Sequence, residues 1–327
     1  MADVTSVVSG TGQAIGRYFS VVSVLPSVLL VIYIFLLSAS GSLHHPPNWD
    51  AAFTAIRNLG LVGAGLLAVV GIALALVLHP LQFGMVQFLE GYWGVGRWAQ
   101  QVRASRMRRH FRRQRWLYEV GAQAQSALKK PRPQELDSLD WRFLRIAWAS
   151  QRDEADRSER GYPEDPDDVM PTRLGNVLRR YEVLVGRPYG LDAPTVLPCL
   201  ALVAQPAHLD YLNDQRSGLD LAVRTSMTSA LACFVTLLFL WHSGLWLLIT
   251  LIPYGLTYAA YRGAVIAAHS YGIAMAAVIA LNRFALYEQL QIPRPSSIDH
   301  ERKMNRTLME FLRDYDGEES LIYRPPG

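Results

Sequence analysis

Residues 225–261 read TSMTSALACFVTLLFLWHSGLWLLITLIPYGLTYAAY and contain no Asp, Glu, Lys or Arg. A helix of about 20 apolar residues crosses the hydrocarbon core of a bilayer, so this stretch is too long for one span. It divides at residues 241–244, WHSG, which form a polar turn containing glycine. The stretch therefore predicts a hairpin of two transmembrane helices, over residues 225–240 and 245–261.

A second hairpin is predicted near the N-terminus. Residues 59–78 form an uncharged run of spanning length, and residues 21–40 form another. The competing interpretation of the earlier run is a cleaved secretory signal, because residues 38–40, SAS, resemble a signal-peptidase site. We favour an uncleaved span, because the apolar core is preceded by a long, nearly neutral start with Arg17 as its one basic residue.

Basic residues are distributed unevenly between these runs, and this orients the chain. The 327-residue chain is 50% apolar and 18% charged, with a net charge of +4. The predicted loops at residues 41–54 and 241–244 contain no Arg or Lys, whereas residues 79–224 and the segment after 282 are rich in them. Positive charge favours the cytoplasmic side. We therefore expect a multi-pass protein of the cell membrane with both termini and the middle region in the cytoplasm.

The predicted fold is an all-α polytopic membrane protein, with about four transmembrane helices in two hairpins and a helical cytoplasmic layer. Residues 263–282 are also uncharged and leave a fifth span open. We favour one continuous helix that leaves the membrane, because a fifth span would follow the fourth without a turn and would export the basic tail. The expected segments are an N-terminal hairpin (1–80), a cytoplasmic region with an Arg-rich helix and an acidic loop (81–224), a second hairpin (225–261), and a long cytoplasmic helix with a basic tail (262–327).

An arginine cluster begins the cytoplasmic region. Residues 81–117 have a helical pattern with a possible break at residues 94–96, GVG. Arginines near a membrane suit anionic phospholipid headgroups, whereas no DNA- or RNA-binding motif accompanies them. An ordinary positively charged flank of a span is the simpler alternative. The candidate headgroup ligands are Arg103, Arg106, Arg108, Arg109, Arg112, Arg113 and Arg115.

The rest of the cytoplasmic region predicts a short helix over residues 140–150 and then a flexible acidic loop over residues 153–168. Residues 171–176, PTRLGN, begin an amphipathic helix that runs to about residue 185. Residues 189–193, YGLDA, then form a turn, and Asp192 is the expected N-cap of the next helix. These two strings resemble an uncharacterised family of bacterial polytopic membrane proteins. The resemblance covers about a tenth of the chain and implies no activity.

A row of small side chains recurs at every fourth position of the long helix predicted after residue 245. Such rows let helices approach closely, either within one chain or between copies. Bulky residues on the row should disrupt packing, whereas leucine at Val265 or Ile279, off the row, should be tolerated. The helix-packing candidates are Ala260, Ala264, Ala268, Gly272, Ala276 and Ala280.

Catalytic, cofactor-binding and metal-binding motifs are not found in the sequence. There is no Gly-x-Ser-x-Gly, His-Glu-x-x-His or phosphate-loop pattern, and the histidine pair at 44–45 has no carboxylate or cysteine beside it. We therefore expect a non-enzymatic protein without cofactors. The favoured function is a self-associating assembly that forms a pore or perturbs the membrane under control of its cytoplasmic region. The alternative is a membrane anchor or scaffold that holds a soluble partner at the inner face.

Overall fold

A computed structural model describes residues 24–43 and 45–313. The secondary structure of these residues is helical, without strands, which confirms the predicted all-α class. Short 3-10 helices occupy Pro166–Asp168, Arg187–Tyr189 and Gly244–Thr250. The α-helices in chain order are α1 (Val24–Ala39), α2 (Trp49–Asn58), α3 (Gly60–Leu78), α4 (Gln82–Glu90), α5 (Arg97–Leu128), α6 (Ser138–Glu159), α7 (Arg173–Leu184), α8 (Ala193–Val203), α9 (Pro206–Leu240), α10 (Leu251–Gln289) and α11 (Ile298–Arg313).

Three helical segments are long and apolar enough to cross a membrane: α3, α9 and the continuous run Gly244–Gln289 that contains α10. This agrees with the predicted membrane location. Helix α1 is apolar but shorter, and the beginning of its predicted span, residues 21–23, lies outside the described residues.

The predicted turn after residue 240 is confirmed. Helix α9 ends at Leu240, and Gly244 has a φ of 57°, a left-handed conformation that glycine adopts without a steric penalty. The next helix opens as the 3-10 segment Gly244–Thr250 and then continues as α10 without a break. Residues 263–282 therefore belong to one continuous helix, as favoured from the sequence.

The described residues divide into two compact units: a first unit of those up to residue 87 together with 216–267, and a second unit of residues 88–215 together with 268–313. In the first unit, α1 packs closely on α3, because a methyl group added at Gly71 would lie 2.6 Å from the Val28 side chain. The Tyr33 hydroxyl lies 2.7 Å from the Thr236 hydroxyl, which joins α1 to α9. Small and polar residues thus set the close helix contacts of this unit.

A polar network in the first unit was not predicted from the sequence. The Gln82 amide donates to the Asp220 backbone carbonyl at 3.0 Å, and its carbonyl accepts from Arg224 Nε at 3.1 Å. Arg224 is buried. The network links the start of α4 to α9 directly before the uncharged stretch.

The second unit has its own apolar core, which α7, α8, α10 and α11 build together. Its fully buried side chains include Val196, Leu200, Ile279 and Tyr287. Because Ile279 belongs to this core and Val265 of the first unit is also buried, our expectation that leucine is tolerated at both positions loses its basis.

Helices α5 and α6 form an antiparallel hairpin in the second unit. The observed length of α6 differs from the prediction. The predicted acidic loop over residues 153–168 is wrong in its first part, because α6 continues to Glu159. Two contacts account for the extra turns: Ala155 packs on Gly121 of α5, and Arg152 lies 3.8 Å from Asp156 one turn later. The break between α4 and α5 is confirmed, because Gly91 and Gly94 both have positive φ.

Candidate functional site

The string PTRLGN, residues 171–176, joins α7 to the end of α4. The Thr172 hydroxyl donates to the Glu90 carbonyl at 2.9 Å and accepts from the Gly175 amide at 3.0 Å as the N-cap of α7. Gly175 lies so close to α4 that any added side chain would collide with the Glu90 carbonyl oxygen. Asn176 is fully buried, accepts from the Met170 amide at 2.9 Å, and donates to the Met170 and Thr172 carbonyls. The string therefore has a packing role in this joint.

The string YGLDA, residues 189–193, has a similar role at α11. Gly190 has a φ of 74° and lies against the Arg302 backbone, where a side chain would not fit. Asp192 caps α8 by accepting from the Thr195 amide, which confirms its predicted N-cap role. Its other oxygen lies 2.8 Å from Arg313 on α11.

A buried polar network attaches α11 to α10. Arg283 Nε donates to a Glu301 carboxylate oxygen at 2.8 Å, and the Tyr287 hydroxyl donates to the same oxygen at 3.0 Å. The Asn305 amide reaches both the Tyr287 hydroxyl and the Tyr189 carbonyl. Asn305 Oδ1 is buried without a hydrogen-bond partner among the described residues, so the network attaches α11 to α10 but leaves one polar atom unsatisfied.

The seven candidate arginines of α5 do not share one face. Arg106, Arg109 and Arg113 follow one another at helical spacing, whereas Arg108 and Arg112 lie on a different side of the helix. Arg115 forms an exposed ion pair with Glu119, and Arg103 is half-buried. One cavity on α5 is nevertheless lined by Arg106, Arg108, Arg109 and Arg112, so four of the predicted headgroup ligands lie side by side.

The charge of Arg173, the first residue of α7, acts on His110 of α5 together with the charges of three arginines of α5. Burial, and after it the charges of Arg173, Arg106, Arg109 and Arg113, lowers the pKa of His110 to about 4. In the described part of the chain, none of these four arginines lies within ion-pair distance of a carboxylate.

The loop that follows α6 contacts α5 at His110 and Gln114 and contacts α7 at Arg180. The Tyr162 hydroxyl lies 3.3 Å from His110 Nδ1, and the Tyr162 carbonyl accepts from Arg180 at 2.7 Å. The Gln114 amide donates to the Pro163 carbonyl, also at 2.7 Å. Sequence reasoning missed the contribution of α7, because the sequence separates Arg173 from α5 by an entire helix.

Two carboxylates lie near the joint between α4 and α7. Burial, and after it the nearby charge of Glu182, raises the pKa of Glu90 to about 7. Burial also raises the pKa of Glu182, against the opposing charge of Arg179. Arg179 in turn donates to Asp168 at 2.6 Å. Glu90 can therefore gain or lose a proton near neutral pH.

The helix-packing candidates of α10 lie at different depths. In the first unit Ala264 is fully buried and Ala260 is half-buried. In the second unit Ala268 is fully buried, and Gly272 lies under the Tyr181 ring, where a methyl group would overlap it. The half-buried positions of the second unit are Ala276 and Ala280.

Metal-ligating side chains do not gather in the described residues, where no group of three His, Cys, Asp or Glu has the geometry of a metal site. His44 of the histidine pair lies outside the described residues. An apolar cavity of about 540 Å³ occupies the first unit between α1, α9 and the start of α10. Its lining includes Leu29, Tyr33, Thr228 and Pro253, and it fits an apolar chain rather than a charged substrate.

Comparisons with protein-family models, curated proteins and solved structures return no match. The family resemblance of the two strings therefore stays a prediction, and the function must be argued from the site itself.

Proposed function

We propose that this chain is a non-enzymatic, four-span membrane protein that self-associates through α3. The observation that carries the proposal is the exposure of α3: 11% of its apolar window is buried inside the chain, compared with 44% for α9 and for the Gly244–Gln289 run. Its side chains between Gly60 and Leu78 are apolar or absent, so this surface belongs against lipid or against another protein.

One face of α3 favours a protein contact. Gly60, Ala64 and Ala68 lie at every fourth position, and Gly71 and Ala75 continue the same face. The later part packs on α1, where Gly71 is buried against Val28. At the earlier end, Ala64 is exposed and no described atom comes within 4 Å of a methyl group placed at Gly60. This face of α3 packs against α1 near Gly71 and is exposed near Ala64. The exposed end is suited to packing against a helix of a second copy of the chain.

The proposed topology places two hairpins in the membrane and the second unit in the cytoplasm. Its support is the uneven distribution of Arg and Lys, since the uncharged turn after α9 suits the outer side. In this arrangement the associated spans form a pore or perturb the bilayer, and the second unit, with its exposed arginines, controls the association. Anionic headgroups are the proposed lipid partner.

The test replaces small residues on the open face. Ala64→Leu combined with Ala68→Leu fills the face, whereas Val62→Leu combined with Val69→Leu places leucine on the opposite side of α3. Native mass spectrometry of the chain in nanodiscs measures the oligomeric state. We expect the first pair to shift oligomers to monomers and the second to leave them intact. A wild-type chain that stays monomeric at every lipid-to-protein ratio would refute the proposal.

A second candidate function, the scaffold, is favoured by the exposed start of α6. The contacts of Gly121 with Ala155 and of Gln125 with Arg152 set the hairpin register, so α6 extends beyond the end of α5 before about residue 148. There Leu139, Phe143 and Ile146 form an apolar stripe and are each more than half exposed. Its flanking basic residues are Arg142 and Arg145.

This apolar stripe fits a soluble partner with an apolar groove rimmed by carboxylates. A photo-crosslinking residue at Phe143, compared with one at Arg145 on another side of α6, tests the fit in intact cells. An adduct of one defined mass at position 143 alone supports the scaffold. An adduct between two copies of this chain favours self-association, and equal labelling at both positions counts against a docking face.

A further inference from the structure

We propose that the apolar cavity of the first unit is a binding site for one ester-linked lipid. The acyl chain of this lipid lies between α1, α9 and the start of α10, and its ester carbonyl accepts hydrogen bonds from Thr225 and Ser229 of α9. The lining residues named for this cavity all belong to the first unit, and none lies on α3, so the inference does not depend on self-association through α3.

The apolar part of the lining is suited to an acyl chain. The cavity volume of about 540 Å³ is within the range of small-molecule sites. Leu29 of α1 and Ile252 of α10 line the cavity and are each more than half exposed, so the cavity opens on the outer surface of the helices. Because α9 and the Gly244–Gln289 run are long and apolar enough to cross a membrane, that surface borders lipid.

Two hydroxyl groups in the lining are available to a ligand. Thr228 and Thr236 of α9 donate their hydroxyls to a backbone carbonyl four residues earlier. Thr225 and Ser229 line the cavity one helical turn apart, and neither hydroxyl has a hydrogen-bond partner within the part of the chain that the structure describes. Ser229 is only 5% exposed. A buried hydroxyl without an acceptor is unfavourable, so the cavity favours an occupant that supplies one.

The position of these hydroxyls orients the lipid. Thr225 is the first residue of the uncharged stretch, and the charged residues Asp220 and Arg224 precede it on α9. The hydroxyl end of the cavity therefore lies near the membrane–water interface, which is where the ester carbonyls of a glycerolipid lie. The chain then extends towards Tyr33, whose hydroxyl meets Thr236 about three turns further along α9.

A lipid fits this arrangement better than a helix of a second copy. The ester carbonyl of a lipid is free to accept hydrogen bonds, whereas the backbone carbonyls of a transmembrane helix are bonded within that helix. The acceptor that Thr225 and Ser229 require therefore points to the lipid.

The ester carbonyl is tested with two lipids that differ in that group alone. Nanodiscs contain equal amounts of an ester-linked phosphatidylcholine and its ether-linked analogue with chains of the same length. Native mass spectrometry of the released full-length chain identifies the lipid that stays bound. We expect one retained lipid per copy and a preference of about threefold or more for the ester form, since ether oxygens are weaker acceptors. Equal retention of the two lipids would overturn the proposal.

Matched double variants test the two hydroxyls. Thr225→Val with Ser229→Ala removes them with little change in side-chain size. Thr257→Val with Ser38→Ala also removes one threonine and one serine hydroxyl, but both of these bond to their own helix and neither residue lines the cavity. The first pair should lose the ester preference and the second should keep it. If the first pair unfolds, Ser229→Ala alone takes its place, and an undiminished preference in that variant counts against the site.

A photo-crosslinking residue at Leu29 identifies the occupant, and one at Leu66 on the exposed surface of α3 is the control. The chain is extracted into lipid-free detergent before illumination, so that only tightly bound lipid remains. An adduct of lipid mass at position 29 and none at position 66 is the expected result. An adduct between two copies at position 29, or no adduct there, would show that the cavity does not hold a lipid. Self-association through α3 is tested separately by the variants at Ala64 and Ala68.

Discussion

Gly175 shows how one absent side chain positions two helices. Its α-carbon lies against the Glu90 carbonyl, and the neighbouring Thr172 and Asn176 supply the hydrogen bonds that complete the joint. The sequence predicted that residues 171–176 begin a helix. It could not predict that the string packs on α4, because the partner is a backbone carbonyl more than eighty residues earlier and has no sequence pattern.

Gly175→Ala should destabilise the second unit, because the added methyl group and the Glu90 carbonyl require the same space. The expected loss is about 1–3 kcal/mol, typical of overpacking at a tight contact. Gly218→Ala is the control, since no described atom lies within 4 Å of its new methyl group and alanine favours helix. Thermal unfolding in detergent should show a lower midpoint for the first variant only; equal midpoints would show that the joint can relax.

Glu90 should make the stability of the second unit depend on pH. Its pKa is about 7 in the folded chain, against an ordinary value of 4.5, because burial and Glu182 disfavour the charged form. A raised folded pKa means that stabilisation is complete below the unfolded pKa and is lost as the pH rises through the folded one. The free energy of unfolding should therefore fall as the pH rises from about 4.5 to about 7, by on the order of 1–3 kcal/mol, and level off above that.

Glu90→Gln should flatten this dependence, and unfolding midpoints across the pH range measure it. His110 acts in the opposite direction, since its lowered pKa removes stability as the pH falls towards about 4. The wild-type chain and the Glu90→Gln variant both contain His110, so the difference between their unfolding midpoints at each pH isolates the contribution of Glu90. An identical slope in wild type and variant would show that the carboxyl group is not responsible.

At the scale of elements, the sequence predicted where the helices lie better than it predicted where each helix ends. The uncharged runs predicted α3 and α9, and the glycines at residues 94–96 predicted the α4–α5 break, because apolar length and left-handed glycine conformations are local properties. Helix α6 ran further than predicted, because the acidic side chains of its last turns point to solvent while Ala155 packs on α5. That packing comes from tertiary structure, which composition does not reveal.

Ala268→Leu and Gly272→Leu should weaken the second unit, because both positions of α10 are buried and the Tyr181 ring covers Gly272. Each should cost about 1–3 kcal/mol. Ile273→Leu is a suitable control, since Ile273 is more than half exposed. We expect a lower unfolding midpoint with an unchanged oligomeric state. A shift to monomers at constant stability would instead assign the row to a contact between copies.

At the scale of the whole molecule, the apolar runs in the sequence predicted the membrane segments. The sequence did not predict that Arg173 would act on the same histidine as the arginines of α5. The charge of Arg173 acts on His110 although α6 separates the two residues in the chain. Such an arrangement depends on long-range packing, and its residues carry no shared motif.

Topology is tested with single cysteines in a background of Cys199→Ser and Cys233→Ser. One cysteine replaces His45 in the predicted outer loop, and another replaces Arg108, which is exposed on α5. An impermeant thiol reagent on intact cells should label position 45 and not position 108, because basic segments are retained in the cytoplasm. The reverse labelling would invert the proposed orientation.

The joint between α4 and α7 and the contact of residues 189–193 with α11 also have an evolutionary consequence. At Gly91, Gly175 and Gly190, the backbone conformation or a neighbouring main chain excludes every larger residue, whereas the exposed apolar positions of the spans carry no such constraint. Descendants of a common ancestor should therefore diverge rapidly in their membrane segments and slowly at these positions. The spacing of these three glycines, with Asn176 and Asp192 between and beside them, is then the signature by which distant members of this lineage would be found.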